Sequence, residues 1–323
     1  LFVVDGFIVG SIKDIPPSDI SSITVLKDAA STAIYGAQAA NGVILVTTKN
    51  PSAGKTEVSY NGYMQFKTLP QERIYDVLDP YEFVLMQYEQ AVLRSEADLR
   101  SFERYFGKYT DLELYKYRRP TDWQNELFGQ PKIAQSHNLS ISGGTEKTKV
   151  RLSLSNNNDD GIMIGNGYSR NAANLKLNHD ISNSLQFEGS ARITSTTVDG
   201  AGTSGSSQLR IKNVVTARPV NGIADELDID LNSLDASDDY QSFLLSLVNP
   251  IELAEQDWRQ KNTMNYVLQA GLNWEPIENL NVRTTISNSQ TFEERMRYYG
   301  PLTSQSQKEG NSLPLGTVDE RQR

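Results

Sequence analysis

Apolar and polar side chains alternate along much of the chain from residue 56 onward. In the first such stretch Val58, Tyr60 and Phe66 lie on one side, and Ser59 and Gln65 lie on the other. A period of two residues is that of a β-strand, whose successive side chains point to opposite faces. The alternation recurs and predicts seven strands, around residues 56–67, 139–141, 150–154, 173–177, 185–193, 266–274 and 280–286.

Alternation alone does not show whether the apolar face contacts a protein core or lipid. A soluble β-sandwich turns that face inward, whereas a membrane barrel turns it toward lipid and keeps a polar lumen. Several runs reach the roughly 9–11 residues that a tilted transmembrane strand needs. The connections also alternate in length, with short ones at 143–147, 181–184 and 275–279 and long ones at 68–133, 156–170 and 196–261. This alternation favours an outer-membrane barrel with long extracellular loops.

The number of predicted strands indicates that the barrel is incomplete. Seven is odd, whereas single-chain bacterial barrels have an even number of strands. The stretch from Gln305 to Arg323 is polar and has no pattern that predicts an eighth strand. Leu1 begins an apolar run that is typical of a strand already under way. We therefore expect the chain to be part of a longer protein, with the barrel continuing beyond Arg323.

Residues 1–50 have a different pattern. The runs at 1–4 and 43–46 are continuously apolar, as in strands covered on both faces, and 20–26 is rich in β-branched residues. Asp28 can cap a short helix over the alanines that follow it, and Gly36 can end that helix. The predicted fold class is thus mainly β, with a small α/β portion followed by antiparallel strands of a transmembrane β-barrel.

Four sequence blocks occur in the first fifty residues in a recognisable order. They are Val-Val-Asp-Gly at 3–6, Ile-Ser-Ser-Ile-Thr-Val-Leu-Lys-Asp at 20–28, Ala-Ile-Tyr-Gly at 33–36 and Ala-Asn-Gly-Val-Ile-Leu-Val-Thr-Thr-Lys at 40–49. Together they resemble the second half of the plug domain of a TonB-dependent outer-membrane receptor, most closely of the SusC/RagA type. The segments at 122–128, 137–144 and 249–251 are similar to barrel segments of the same family.

The resemblance implies a division of the chain into three parts. Residues 1–50 would form the C-terminal half of the plug, 51–55 a linker, and 56–323 the N-terminal part of a barrel of about 22 strands. The stretch 36–40 lacks the basic residue that family members often carry there. A structural role is expected for the plug-motif residues Asp5, Gly6, Lys27, Asp28, Tyr35, Gly36, Asn41 and Gly42.

The long connections contain further patterns. Asp79-Pro80 starts an amphipathic stretch to Leu99, which predicts a helix packed on the barrel rim, or a cap or docking surface. Aromatic residues at 105–123 either pack together or stack on sugar rings. Asn156, Asn158 and Asp160 predict a polar turn, since the glutamate that ends a calcium loop is missing. The acidic run 225–239 predicts a solvated loop, with a calcium site as a minority interpretation, and 200–205 a flexible segment.

Composition narrows the chemistry. The 323 residues carry 31 Lys+Arg against 40 Asp+Glu, a net charge of −9, which argues against nucleic-acid binding. There is no cysteine, so thiolate metal sites and cysteine nucleophiles are excluded. His137 precedes a predicted strand and His179 ends one, and neither has a partner at metal-ligand spacing. We expect no catalytic, metal or cofactor site, and no pair of acids indicates a hydrolase.

The resemblance carries a functional expectation. It implies TonB-dependent import of a large nutrient, an oligosaccharide or a peptide, through a plugged barrel in the outer membrane of a Bacteroidetes-like bacterium. TonB would act through a segment missing from this chain, and a SusD-like surface lipoprotein would be the partner outside. Outer-membrane lipid would surround the strands. The alternative is a soluble β-rich carbohydrate-binding module, and the sequence identifies no substrate-contacting residue.

Overall fold

The computed structural model contains two β-sheets and a layer of helices. It describes residues 1–12, 15–28, 33–70, 72, 74–200, 214–223, 249–301, 303, 305–306 and 313–322. The acidic run at 225–239 and most of the glycine-rich segment at 200–205 therefore lie outside the described residues. Among those that are described, no helix is both long and apolar enough to cross a bilayer.

The first sheet has four strands in the order β2-β1-β4-β3. Strand β1 runs parallel to β4, and the other pairs are antiparallel. Val3 and Val43 pack with Ala39 on one face, while Val4 and Val46 pack with Ile15 on the other. The predicted double coverage of the apolar runs is thus present. The strands are β1 Phe2–Val4, β2 Phe7–Val9, β3 Ile20–Leu26 and β4 Val43–Thr48.

Only the end of the predicted helix between Asp28 and Gly36 lies among the described residues, and this part is a tighter 3-10 structure. A 3-10 segment spans Ala33–Ala39, and Gly36 lies inside it with φ 66°, so the segment is two turns joined at a kink. Gly36 has a positive φ, as expected for a helix end, but a further 3-10 turn follows it. Residues 29–32 lie outside the described part of the chain. A second 3-10 turn, Pro17–Asp19, leads into β3.

The second sheet is an eight-stranded antiparallel meander in which each strand pairs with its neighbours in sequence. All seven strands predicted from the alternation are present, and most are longer than predicted. The strands are β5 Gly54–Lys67, β6 Lys132–Gly144, β7 Thr148–Asp160, β8 Gly167–Ser182, β9 Leu185–Asp199, β10 Asp257–Ile277, β11 Leu280–Tyr299 and β12 Leu315–Gln322.

Strand β12 corrects the expectation that residues 305–323 are patternless. It pairs with β11 from Tyr299↔Leu315 to Phe292↔Gln322. Its side chains gave no signal because on the face shared with Val318 the others are glycine, glutamate and glutamine. The backbone ladder holds this strand, since pairing of N–H and C=O groups does not depend on apolar side chains.

The connection predicted as a long loop at 156–170 is instead short. Strands β7 and β8 extend to Asp160 and Gly167, so only residues 161–166 connect them. The polar extension pairs through side chains as well as backbone, with Asn156 Nδ2 donating to Asn171 Oδ1 at 2.7 Å. The expected polar turn at Asn156–Asp160 is therefore wrong, because those residues belong to β7. His137 likewise lies within β6 rather than before it.

The outer face of the large sheet is apolar and exposed. Ile286 is 72% exposed and Leu268 57%, whereas the inward-facing Ser153 and Thr194 are 2% and 0% exposed. A soluble sandwich would bury the first pair and expose the second. The apolar side chains of the strands therefore point away from the protein, and the polar side chains face the four-stranded sheet.

Helices lie in the long connections. α1 Pro80–Arg94 begins with a complete capping box between Asp79 and Glu82, as the Asp79-Pro80 signal predicted. The amphipathic stretch is broken at Ser95, so Leu99 belongs to the next helix. The remaining elements are α2 Glu96–Phe106, a 3-10 segment Tyr109–Tyr117, α3 Trp123–Phe128 and α4 Pro250–Gln256.

Candidate functional site: the contact between the small sheet and the inner wall

The turn between β1 and β2 supplies the first functional group. Asp5 and Gly6 form a two-residue turn with φ angles of 50° and 90°. Left-handed φ at both positions is the type I′ geometry, for which Asp-Gly is a favoured sequence. The Asp5 carboxylate accepts hydrogen bonds from Thr48 N at 2.8 Å and Thr48 Oγ1 at 2.7 Å. The turn is thus fixed to β4 with its carboxylate held in one orientation.

Asp5 also reaches the wall of the large sheet. Lys176 Nζ, on the inner face of β8, lies 3.0 Å from Asp5 Oδ2, and both side chains are mostly buried. Lys176 donates a second bond to Asn50 Oδ1 at 3.2 Å. Burial opposes ionisation of Asp5, but the Lys176 charge and the Thr48 bonds outweigh it, so the pKa of Asp5 lies below its ordinary value. The carboxylate is therefore ionised and paired at neutral pH.

A second carboxylate of the small sheet makes a parallel contact. Asp19 is 2% exposed, and its Oδ1 accepts a hydrogen bond of 2.5 Å from Ser153 Oγ on the inner face of β7. Asn138 on β6 donates to the same hydroxyl at 3.4 Å. The Asp19 backbone carbonyl accepts from Lys49 N at 2.8 Å. Asp5 and Asp19 therefore attach the small sheet to two neighbouring strands of the wall.

A polar cleft of about 390 Å³ separates the small sheet from the wall beside these contacts. Phe7 and Tyr35 line it from the small sheet, and Glu188, Gln269 and Arg283 line it from the wall. The wall side is hydrophilic along its length, so a shift of the small sheet would expose a wettable surface to solvent. Among the described residues no group of three or more His, Asp or Glu side chains could hold a metal ion.

The structure places the remaining motif residues around the small sheet. Tyr35 packs against the cluster of Val3 and Val43. Gly42 has φ 91°, and a Cβ there would lie 3.0 Å from the Leu26 carbonyl oxygen, which favours glycine. Lys27, Asp28 and Asn41 are exposed at the ends of β3 and β4. A structural role for the whole set stays a prediction.

Sequence reasoning missed Asp19, Thr48, Ser153 and Lys176. These residues meet only in the folded chain, since 134 positions separate Asp19 from Ser153. One signal was available: Lys176 lies between Asn174 and Asn178 on the polar side of a strand whose other side is apolar. A lysine on that side faces the interior in a barrel and needs an acidic partner there.

The aromatic residues predicted as a cluster divide into two groups. Phe106 and Tyr115 are buried with Tyr105 in one core, so they pack rather than offer a sugar-stacking surface. Burial raises the pKa of Tyr115 to about 12. Tyr109 and Tyr117 are instead 61% and 88% exposed. The helical layer is thus a small domain with its own core, and only its exposed aromatics remain available for contacts.

Arg218 links this helical core to α3. Its guanidinium carbon lies 4.9 Å from the centre of the Tyr105 ring, and its carbonyl oxygen accepts from Trp123 Nε1 at 2.7 Å. Burial lowers the pKa of Arg218 to about 10, which leaves the side chain charged at neutral pH. Both histidines have local partners: His137 Nδ1 lies 2.6 Å from Tyr60 Oη, and His179 Nδ1 lies 2.8 Å from Thr148 Oγ1.

Comparison with known proteins follows the same division. The family described as TonB-dependent Receptor Plug Domain matches residues 1–43. TonB-dependent receptor SusC of Bacteroides thetaiotaomicron is 32% identical over 187 residues, which cover 55% of this chain and 17% of that protein. TonB-dependent receptor P39 of Formosa agariphila is 34% identical over 183 residues, covering 56% of this chain and 16% of the relative. The chain thus spans about a sixth of these relatives.

Solved structures match the fold over the whole chain. The RagAB peptide transporter aligns with a TM-score of 0.69 at 19% identity, covering 100% of this chain and 37% of that one. The "open-open" state of the RagAB peptide importer aligns with a TM-score of 0.68 at 19% identity, covering 99% and 37%. The small sheet beside a strand wall with an apolar exterior is thus a fold shared with these structures. Together, the family model and the relatives support a SusC/RagA-type TonB-dependent receptor.

Proposed function

We propose that the protein containing this chain imports a large nutrient, an oligosaccharide or a peptide, through a plugged barrel in the outer membrane. The observation that carries the proposal is the reversed polarity of the large sheet. Its exposed face is apolar, as contact with lipid requires, and its covered face is polar, as a wet lumen requires. No covalent chemistry is needed for this function, and the relatives are receptors rather than enzymes.

The edges of the sheet support a larger assembly. Strands β5 and β12 each pair on one side only. Unpaired backbone N–H and C=O groups in hydrocarbon cost several kcal/mol each, so both edges need further strands. We infer that residues 56–323 form the first part of the barrel and residues 1–50 part of its plug. On its own the chain should therefore give no substrate flux across vesicles.

The contacts of Asp5 and Asp19 support a plug that can move. They consist of one ion pair and a few hydrogen bonds. Contacts of this kind exchange readily for water once the surfaces separate. We infer that TonB, acting through a segment absent from this chain, shifts the plug and opens the polar cleft along the wall. A SusD-like lipoprotein would cover the outer mouth.

The test is energised uptake by the full reading frame that encodes this chain, expressed in an outer membrane with the SusD-like lipoprotein proposed as its partner. We expect accumulation of labelled oligosaccharide or peptide that stops when TonB is deleted or the proton gradient is collapsed. The matched control is the same strain with the lipoprotein gene alone. Uptake that is unaffected by loss of TonB would contradict the proposal.

The alternative of a soluble carbohydrate-binding module has no comparable support. It needs the apolar faces of β5–β11 to be covered, whereas Val58, Leu268 and Ile286 are 65%, 57% and 72% exposed. Side chains of this size gain free energy when they leave water, so an exposed sheet of them would associate. A lipid environment removes that difficulty without further assumptions.

A further inference from the structure

The charged residues of the large sheet are sorted by face. On the strand residues that the structure describes, every lysine and arginine of β5–β12 occupies an inward position, except Lys55 in the bulge at the start of β5. Acids lie on both faces, for example Glu294 and Glu320 outward and Glu188 inward, but outside that bulge no lysine or arginine points outward. This sorting occurs in a chain of net charge −9. The inner wall is therefore locally electropositive although the protein as a whole is acidic.

The bases are most concentrated where β10 and β11 border long connections. Arg259 on β10 lies directly across from Arg297 on β11, and Lys261 lies across from Arg295 in the next inward row. These four residues form a two-by-two group that we call the basic cluster. Like charges directly opposite each other on neighbouring strands are destabilising. The arrangement therefore opposes folding stability and calls for a functional explanation.

The carboxylates near the basic cluster do not balance it. Asp257 already accepts two bonds from the Arg259 guanidinium, from Nε at 2.8 Å and from Nη2 at 3.0 Å. Glu293 is shared by Lys261, at 2.8 Å, and Arg295, at 2.6 Å. Arg297 has no carboxylate partner among the described residues. In the part of the chain that the structure describes, the four bases pair with two acids, and Asp319, across from Arg295, is already paired with Arg321. The excess positive charge lies on the inward face.

We propose that the basic cluster binds carboxylate groups of the nutrient as it enters the lumen. The inference rests on the proposed import function and names a chemical class for its substrate. Arginine presents a planar fork of donors that matches a carboxylate, and Lys261 adds a point charge beside it. A bound carboxylate would separate the opposed bases Arg259 and Arg297 and relieve their repulsion. The cluster therefore recognises acidic nutrients, whether uronic oligosaccharides or acidic peptides.

The test measures binding to the full-length receptor with its lipoprotein, purified in detergent at low salt. The probes are hexagalacturonate and pentaglutamate, with maltohexaose and pentaserine as neutral counterparts. We expect at least one charged probe to bind more tightly than its neutral counterpart, and Arg297→Gln to weaken that binding about tenfold. The charged probe that binds identifies the source of the carboxylate. Equal binding of both charged probes and their neutral counterparts would overturn the proposal.

The matched control is Lys149→Gln, on the inward face of β7. Lys149 Nζ lies 3.9 Å from Asp180 Oδ2, and β7 does not pair with β10 or β11. We expect it to leave probe binding unchanged, and equal losses in both variants would overturn the proposal.

A second readout is the melting temperature without probe, which should rise in Arg297→Gln because a like-charge pair is removed. An unchanged or lower melting temperature would contradict the repulsion between Arg259 and Arg297. If TonB-dependent uptake persists while Arg297→Gln binds like the wild type, the cluster proposal fails and the import proposal stands.

Discussion

At the residue scale, two carboxylates decide how the small sheet sits on the wall. The sequence identified Asp5 through the Val-Val-Asp-Gly block at 3–6, because such a motif consists of adjacent residues. It could not identify Lys176 or Thr48 as its partners, since these lie far along the chain and are brought together by the fold. The motif residue was thus predictable, and the electrostatic reason for its orientation was not.

We predict that Lys176→Met weakens the attachment of the small sheet. Asp5 would keep its Thr48 bonds but lose its charged partner, at a cost of about 1–3 kcal/mol. Thermal unfolding of the receptor in detergent measures the change. The control is Lys149→Met, whose Nζ is 3.9 Å from Asp180 in a more exposed pair, and which should change stability little.

The same contact has a pH signature. The folded-state pKa of Asp5 is lowered from 3.8, so its contribution to stability is full well above pH 3.8 and is lost as pH falls through the still lower folded value. Melting temperatures measured below about pH 4 should therefore fall less steeply in Lys176→Met than in the wild type. If the melting temperatures of the two proteins fell equally steeply with pH, the Asp5–Lys176 pair would not be the cause of the acid sensitivity.

At the element scale, alternation located strands by their apolar centres and misjudged their ends. The apolar residues of β7 stop at Leu154, but the strand continues to Asp160 because Asn156 and Asn158 pair with side chains of β8. Strand β12 has too few apolar side chains to give a period, and the three apolar residues of β2 are too few to show one. Helix α1 was located correctly at its start, since capping is encoded in adjacent residues.

We predict that Asp79→Ala destabilises the first turn of α1. The change removes the acceptor of the Glu82 N–H, 2.8 Å away, and should cost about 1 kcal/mol. Hydrogen exchange of amides at the start of α1 should become faster, while β-strand amides keep their rates. Glu89→Ala, an exposed change within the same helix, is the control, and equal effects of the two would contradict the capping role.

At the scale of the whole molecule, the small sheet fills the polar side of a wall whose other side is apolar. This polarity explains why the buried residues of the large sheet are Ser153, Thr194 and Lys176 rather than leucines. The sequence predicted an apolar and a polar face for each strand, but the choice between sandwich and barrel rested on connection lengths. One of these, at 156–170, was predicted to be long and is short. The exposed apolar face of the folded sheet favours a barrel more directly, because exposure is a property of the assembled sheet.

The most direct measurement uses nitroxide labels on single cysteines introduced into this chain, whose 323 residues contain none. Labels would be placed in the full-length receptor in liposomes at adjacent positions, Ile286→Cys with Ser287→Cys and Val58→Cys with Ser59→Cys. We predict that the labels at 286 and 58 collide with lipid-soluble oxygen, and those at 287 and 59 with a water-soluble nickel chelate. The opposite pattern, or equal accessibility within each pair, would contradict a wall with lipid outside and water inside.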